Sequence, residues 1–222
     1  MTRKENPVAG EIYHVFNKSI AGFRIFQVEA DFVRMRYLMR YYQYAGMPSY
    51  AHFGSQDCVK INGFDKCFRD VLQGKLRIVD VYAFCIMPTH IHLVLKPLTN
   101  GSVAQFMGNI LNSYSKYFNF KYDRQGPLWT GPFKNVLVET EEQLLHLIRY
   151  IHLNPAVANL VSAVDGWQYS SYREYLGQVT IQKGVCSKLY LGGMLKNAYQ
   201  KFVEERLPYQ KELALIKHLV KE

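Results

Sequence analysis

His90 and His92 open an apolar run, Ile91, Leu93, Val94 and Leu95, immediately after Met87-Pro88-Thr89. The stretch from Val79 to Lys96 reads as two strands joined at that turn, rich in β-branched and aromatic residues. Successive strand side chains alternate between faces, so His90 and His92 share one face while Ile91 and Leu93 take the other. Two imidazoles side by side are placed to hold one metal ion. Further on, Tyr150 and Asn154 stand four residues apart in a helical pattern and therefore point the same way, one turn separated. If that helix face meets the histidine face, two imidazoles, an amide oxygen and a phenol come together, which are the parts for cutting a phosphodiester. A divalent cation on the three neutral ligands withdraws charge from a non-bridging phosphate oxygen, while the phenol oxygen attacks phosphorus and becomes covalently attached. An ordinary phenol, with a pKa of ~10, is poorly ionised at neutral pH, so this chemistry needs the metal or a nearby base. Spacing alone does not select Tyr150 among 17 tyrosines; Tyr114 and Tyr117 are equal on pattern.

The elements that must position these groups follow a simple order. Glu11–Asn17 alternates as a strand, and Ala30–Ala45 carries Phe32, Met35, Leu38, Met39, Tyr42 and Ala45 as an amphipathic stripe. Residues 46–75 read as an irregular insertion with a helical turn at Phe68–Leu72. After the strand pair, Ser102 is expected to cap a helix running to about Tyr122, and Phe133–Val138 is the next strand. Thr140 followed by Gln143 is a capping-box signature, which predicts a helix from about Glu141 that stops before Pro155. The sum is β-α-β-β-α-β plus a further helix, an α+β arrangement matching the ferredoxin-like split β-α-β, an antiparallel sheet backed by two helices. Two lysine-rich helical patterns follow, at Ser187–Glu205 and Tyr209–Val220, either as a small tail or as packing elements of the main body.

Composition narrows the classes of partner. A chain of 222 residues with 49% hydrophobic content can bury a substantial core. No apolar run approaches the ~20 residues needed to cross a bilayer, and the first residues lack the apolar segment of a signal peptide, so a cytoplasmic protein without membrane partners is expected. Cys58, Cys67, Cys85 and Cys186 are too scattered for a zinc ribbon and read as reduced thiols, Cys85 in the core. Lysine and arginine exceed the acids by 27 to 18, a net charge of +9, which suits a polyanion and above all nucleic acid.

The run Tyr82-Ala83-Phe84-Cys85-Ile86-Met87-Pro88-Thr89-His90-Ile91-His92-Leu93-Val94, then Gly131-Pro132-Phe133-Lys134, Arg149-Tyr150-Ile151-His152-Leu153-Asn154-Pro155 and Trp167-Gln168-Tyr169-Ser170-Ser171-Tyr172, resembles the REP-associated tyrosine transposases, relatives of the single-tyrosine HUH transposases of small insertion sequences. The resemblance covers about residues 8–176. It implies a ferredoxin-like HUH nuclease domain over 1–176, and the change of texture from Gly177 onward sets off residues 177–222 as a basic helical extension. It also implies nicking and joining of single-stranded DNA through a 5′-phosphotyrosine that leaves a free 3′-hydroxyl, beside a repetitive palindromic hairpin. Carried over by position, Tyr150 matches the nucleophile, His90 and His92 match the metal-binding histidines, and Asn154 takes the third ligand place, for Mg²⁺ or Mn²⁺. Two features depart from the family's pattern: the segment before the second strand is longer than in shorter relatives, and Pro132-Phe133-Lys134 replaces the more usual Arg-Tyr-Lys, removing one potential phosphate contact.

Lys116, Lys121, Arg124 and Lys134 are the candidates for phosphate contacts, with a solvated helix face as the competing reading of the first three. His152 reads as structural or surface, His14 as near the site or merely packed, and Trp129 and Trp167 as buried rather than base-stacking. Two rivals to the nuclease stand beside it: a retired transposase that binds hairpins without cutting, and a metallohydrolase of small phosphoesters, which leaves the basic surplus idle. Monomer and homodimer are both compatible with the sequence.

Overall fold

In the computed structural model, which describes residues 6–180 and 183–219, strand alternation decides which side chains go where. Strand β1 (Ile12–Lys18) buries Tyr13, Val15 and Asn17 on one side and turns His14, Phe16 and Lys18 to the other. Strands β2 (Val79–Met87) and β3 (His90–Pro97) form the hairpin expected at Pro88-Thr89, and β4 (Lys134–Val138) completes a four-stranded sheet in the order β2-β3-β1-β4. Every neighbouring pair is antiparallel, with β3 lying between β1 and β2. The α+β class is as expected.

Helix α1 (Glu29–Tyr41) and helix α5 (Ser102–Lys121) pack against one another and on one face of the sheet. Their core joins Met35, Leu38, Phe106, Ile110 and Tyr114 to Val15, Phe84, Ile86, Leu93 and Leu95. The opposite face carries a second core in which Ala83, Cys85, Met87 and Val94 meet Leu144, Ile148 and Ile151 of α6 (Glu141–Val157). Helices α1 and α5 therefore cover one side, and α6 covers the side on which His90 and His92 emerge.

Several boundaries differ from the sequence expectation for visible reasons. Helix α1 stops at Tyr41, not Ala45, because residues 43–45 leave it to pair with 76–78: the amide of Ile78 donates to the Gln43 carbonyl (2.8 Å) and that of Ala45 to the Leu76 carbonyl (2.8 Å). The cap of α5 is Gly101, in the left-handed region at φ 80°, and Ser102 is its first residue, donating its hydroxyl to the Thr99 carbonyl (2.7 Å). Helix α6 runs through Pro155 to Val157. Near a helix end the missing proline N–H forfeits a single bond, and burial of Pro155 and Ala156 offsets it. Residues 46–75 are not irregular but hold three short helices, α2 (Tyr50–Ser55), α3 (Asp57–Asn62) and α4 (Phe64–Val71). Cys58 and Cys67 form a disulfide between the last two, correcting the reading of all four cysteines as free; Cys85 is buried as expected and Cys186 half-buried.

The segment Trp167–Tyr172 lies along the outer edge of β2, where the Ile86 amide donates to the Tyr169 carbonyl (2.9 Å) and the Ser171 amide to the Phe84 carbonyl (2.9 Å). An otherwise open sheet edge is thereby occupied. Helix α7 (Tyr172–Tyr175) follows, then α8 (Lys196–Glu204) and α9 (Leu207–Leu219). The helical pattern expected from Ser187 begins only at Lys196, since the Ser187 amide is held by the Val81 carbonyl (3.0 Å). Tyr199 and Val203 of α8 are fully buried in the core shared with α6, so this part of the tail is a packing element. No helix among the described residues is long and apolar enough to cross a membrane.

Candidate active site

The pleat of β3 brings His90 and His92 to one face, with ring centroids 5.0 Å apart and planes near perpendicular. Register does the rest. Phe16 stands opposite His92 on β1, Lys18 opposite His90, and Cys85 opposite His92 on β2. Helix α6 starts where expected: Thr140 Oγ1 accepts from the Gln143 amide (3.1 Å), the Gln143 side chain accepts from the Glu139 amide (2.9 Å), and Glu141 and Glu142 favour the positive helix end. Leu144, Ile148 and Ile151 seat the helix on the sheet, which turns Tyr150 towards the histidines. The Tyr150 ring lies 6.1 Å from that of His92, edge to face, and remains 45% exposed, open to an incoming substrate.

Each histidine is held by its Nδ1. His92 Nδ1 is 2.9 Å from His14 Nε2 on β1, and His90 Nδ1 is 2.9 Å from Thr89 Oγ1. The rings of His14 and His92 also stack at 5.1 Å. Neither Nε2 of the pair has a hydrogen-bond partner among the described residues. A ligating histidine commonly has its second ring nitrogen fixed in this way. Burial, with Lys18 adding to it, pushes His90 down to about 4. Burial, then His14, His90 and Lys18, pushes His92 down to about 3, and burial alone takes His14 to about 4. All three rings are neutral at pH 7, the form in which imidazole nitrogen binds a cation.

No group of three His, Cys, Asp or Glu side chains among the described residues is arranged as a metal cage, so a third donor has to be of another type. Asn154, one turn from Tyr150 on α6, is the candidate expected from the sequence. Its Nδ2 is buried without a partner. Amide O and N are assigned from their neighbours, and a half-turn of the amide puts Oδ1, a metal donor, in that position. Two neutral imidazoles and an amide oxygen fit a divalent cation. Burial raises the Tyr150 hydroxyl above the usual phenol value, while the Asn154 side chain pulls it back. Tyr150 is thus a protonated phenol until something assists it. Cys85, beneath it, is pushed up by burial and stays a thiol.

A groove of about 460 Å³ beside the histidines is lined by Phe16, Lys18, Thr130, Gly131 and Lys134. Of the phosphate candidates, Lys134 lines this groove. Lys116 lies on the far side of the sheet, on α5. Lys121 is ion-paired with the buried Asp31 (2.6 Å), and Arg124 donates to the carbonyls of Gly126 (3.4 Å) and Pro127 (2.9 Å). His14, for which the sequence leaves open a place near the site or mere packing, takes the first, and Lys18, which the sequence reads as loop, joins it. Their signal lay in the continued alternation His14, Phe16, Lys18, which places both on the histidine face once β1 pairs with β3. His152 is fully buried between Ser171 Oγ (2.8 Å) and Tyr199 OH (2.9 Å), a structural position. Tyr114 and Tyr117 belong to the other side of the sheet, where Tyr114 donates to the Ile25 carbonyl (2.6 Å). Trp129 is buried and Trp167 partly so, its indole donating to the Ile86 carbonyl (3.1 Å).

Residues 63–154, from α4 to the proposed ligand Asn154, match the family described as "Transposase IS200 like". A Haemophilus influenzae protein named for the REP-associated tyrosine transposases is 25% identical over 103 residues, which are 42% of this chain and 58% of that protein. The fold is similar to a solved REP-associated tyrosine transposase bound to a REP hairpin, with a TM-score of 0.50 and 14% identity over 83% of this chain and 90% of the other. The matched segment, which carries the histidine and tyrosine motifs in order, is similar to the IS200-like transposases, and the fold is similar to that of a REP-associated tyrosine transposase.

Proposed function

We propose that this chain nicks and rejoins single-stranded DNA through Tyr150, with Mg²⁺ or Mn²⁺ on His90, His92 and Asn154, next to a palindromic hairpin that it recognises. The observation that carries the reading is the docking of α6, which sets the Tyr150 ring 6.1 Å from His92 within a single chain. That pairing favours a site complete in one copy, whether the protein is a monomer or a homodimer. The bound cation would neutralise charge on the scissile phosphate and favour ionisation of the nearby phenol. Tyr150 Oη attacks phosphorus and forms the phosphotyrosine bond as the P–O3′ bond breaks; the phenol proton is lost to solvent and the departing 3′-oxygen gains one. Rejoining runs the same exchange in reverse with an incoming 3′-hydroxyl. His14 and Thr89 hold the two imidazoles, and Lys18 and Lys134 offer the flanking strand its phosphate contacts. The hairpin as partner follows the ligand of the structural relative, and a DNA substrate puts the activity in the cytoplasm.

The test is covalent capture. Incubated with hairpin oligonucleotides carrying single-stranded flanks and Mn²⁺, the protein should yield a band that survives denaturing gels. Tyr150→Phe should abolish that band and leave hairpin binding intact. An adduct persisting in Tyr150→Phe assigns the nucleophile elsewhere, whereas binding without any adduct across many hairpins favours a retired hairpin binder.

A further inference from the structure

On the far side of the sheet from Tyr150, α1, α5 and the start of the insertion enclose a groove of about 630 Å³. Its floor holds Arg34, whose guanidinium sits 4.2 Å from the centre of the Tyr50 ring and 5.0 Å from that of Tyr117. Arg34 Nε is buried without a hydrogen-bond partner. No carboxylate among the described residues pairs with it: Asp31, the nearby acid of α1, is taken by Lys121, Tyr117 and Tyr122. No acidic residue among the described residues lines the groove. A half-buried cation with two aromatic walls and no anion is held in a costly state unless a ligand supplies the negative charge.

Helix α5 completes the arrangement. Asn109, Asn112, Ser113, Lys116 and Phe120 line the groove at helical spacing, so one stripe presents two amides, a hydroxyl, an ammonium and a ring. Phe120 is 92% exposed and contributes nothing to the core. A guanidinium and an ammonium with amide and hydroxyl donors match the oxygens of a phosphodiester, and an exposed ring one turn further offers a base its flat face. The opposite wall, residues 47–51, lies outside the segment that matches the transposase family.

We propose that this groove is a second nucleic-acid contact, in which Arg34 and Lys116 hold a backbone phosphate of a single-stranded segment while the adjacent base stacks on Phe120. The inference rests on the nucleic-acid reading above and adds to it a contact on the sheet face remote from the nucleophile. Arg34 and the aromatic walls fix the phosphate, and Phe120 makes the contact tolerant of base identity.

The experiment uses the full chain carrying Tyr150→Phe, so that binding is read without covalent capture. Phe120→Trp in that background places an indole in the groove; a hairpin oligonucleotide with single-stranded flanks should quench the emission this substitution adds. Phe120→Ala and Lys116→Ala, both at positions outside the core, should each weaken binding by about tenfold without lowering the melting temperature. Arg34→Lys keeps the charge but loses the planar fork, and should weaken binding similarly. Oligonucleotide binding that leaves the emission of the introduced indole and the variant affinities unchanged overturns the groove and spares the nuclease reading. Equal quenching by inorganic phosphate or a mononucleotide at the same concentration overturns it in favour of a small-anion site. Failure of every oligonucleotide to bind overturns both readings.

Discussion

His14 shows how much of the candidate site depends on a residue that does not itself face the phosphate. Its Nε2 at 2.9 Å fixes the ring of His92, leaving His92 Nε2 for a cation. Residues in this position typically contribute ~10- to 100-fold to metal affinity. His14→Ala should therefore raise the Mn²⁺ concentration needed for half-maximal adduct formation by about that factor, with the plateau recovered at excess Mn²⁺. A Mn²⁺ midpoint indistinguishable from wild type would remove His14 from the site. Alternation along β1 gives His14 a face but not a partner, because the contact joins residues 78 apart and exists only once β1 and β3 are in register. His90 and His92 were visible for the opposite reason: their relation is local, fixed by the two-residue period of one strand.

At the scale of elements, the sheet is backed by a helix pair that meets at Asp31. This carboxylate is fully buried at the start of α1 and accepts from Lys121 Nζ (2.6 Å), the Tyr122 hydroxyl (2.8 Å), the Tyr117 hydroxyl (3.1 Å) and the amides of Gln27 (3.0 Å) and Val28 (3.1 Å). Burial pushes its pKa up, but the bonds from Lys121, Gln27, Tyr122 and Val28 outweigh that and hold it below the usual carboxylate value. Asp31→Asn should cost about 3 kcal/mol in denaturant unfolding at pH 7, by leaving the Lys121 ammonium unpaired and turning an acceptor into a donor. Because the folded pKa is depressed, the contribution is present above the unfolded value of 3.8 and is lost as pH falls through the folded one. The gap between wild type and Asp31→Asn should accordingly close below that pH, and a gap unchanged at acid pH would assign the loss to packing. Elements announced by caps and long periodic stripes, such as α6 behind Thr140, were legible from sequence. The insertion was not, since helices of six to eight residues carry too few turns to show a period. The early end of α1 was hidden too, being imposed by a pairing with residues 76–78.

For the molecule as a whole, the question is whether the chain beyond residue 177 is an appendage or part of what holds the nucleophile. Helix α6 has the sheet on one side and α8 on the other, where Tyr199 and Val203 are fully buried against it and Tyr199 OH meets His152 Nδ1 at 2.9 Å. Burying one large apolar side chain is worth ~1.5–3 kcal/mol, so these two contribute on the order of 3–6 kcal/mol, comparable with the whole stability of many domains. His152, whose pKa burial lowers to about 3, would at the same time lose its phenol partner. Truncation after Leu195 should thus lower the denaturant midpoint sharply and reduce adduct formation, although Tyr150, His90, His92, Asn154 and His14 all remain. The substitution Tyr199→Phe, which removes only the hydroxyl, should cost about 1 kcal/mol and leave the adduct. A truncated chain as stable and as active as the full one would make the tail dispensable and leave the sheet alone to set the angle at which Tyr150 meets the histidines.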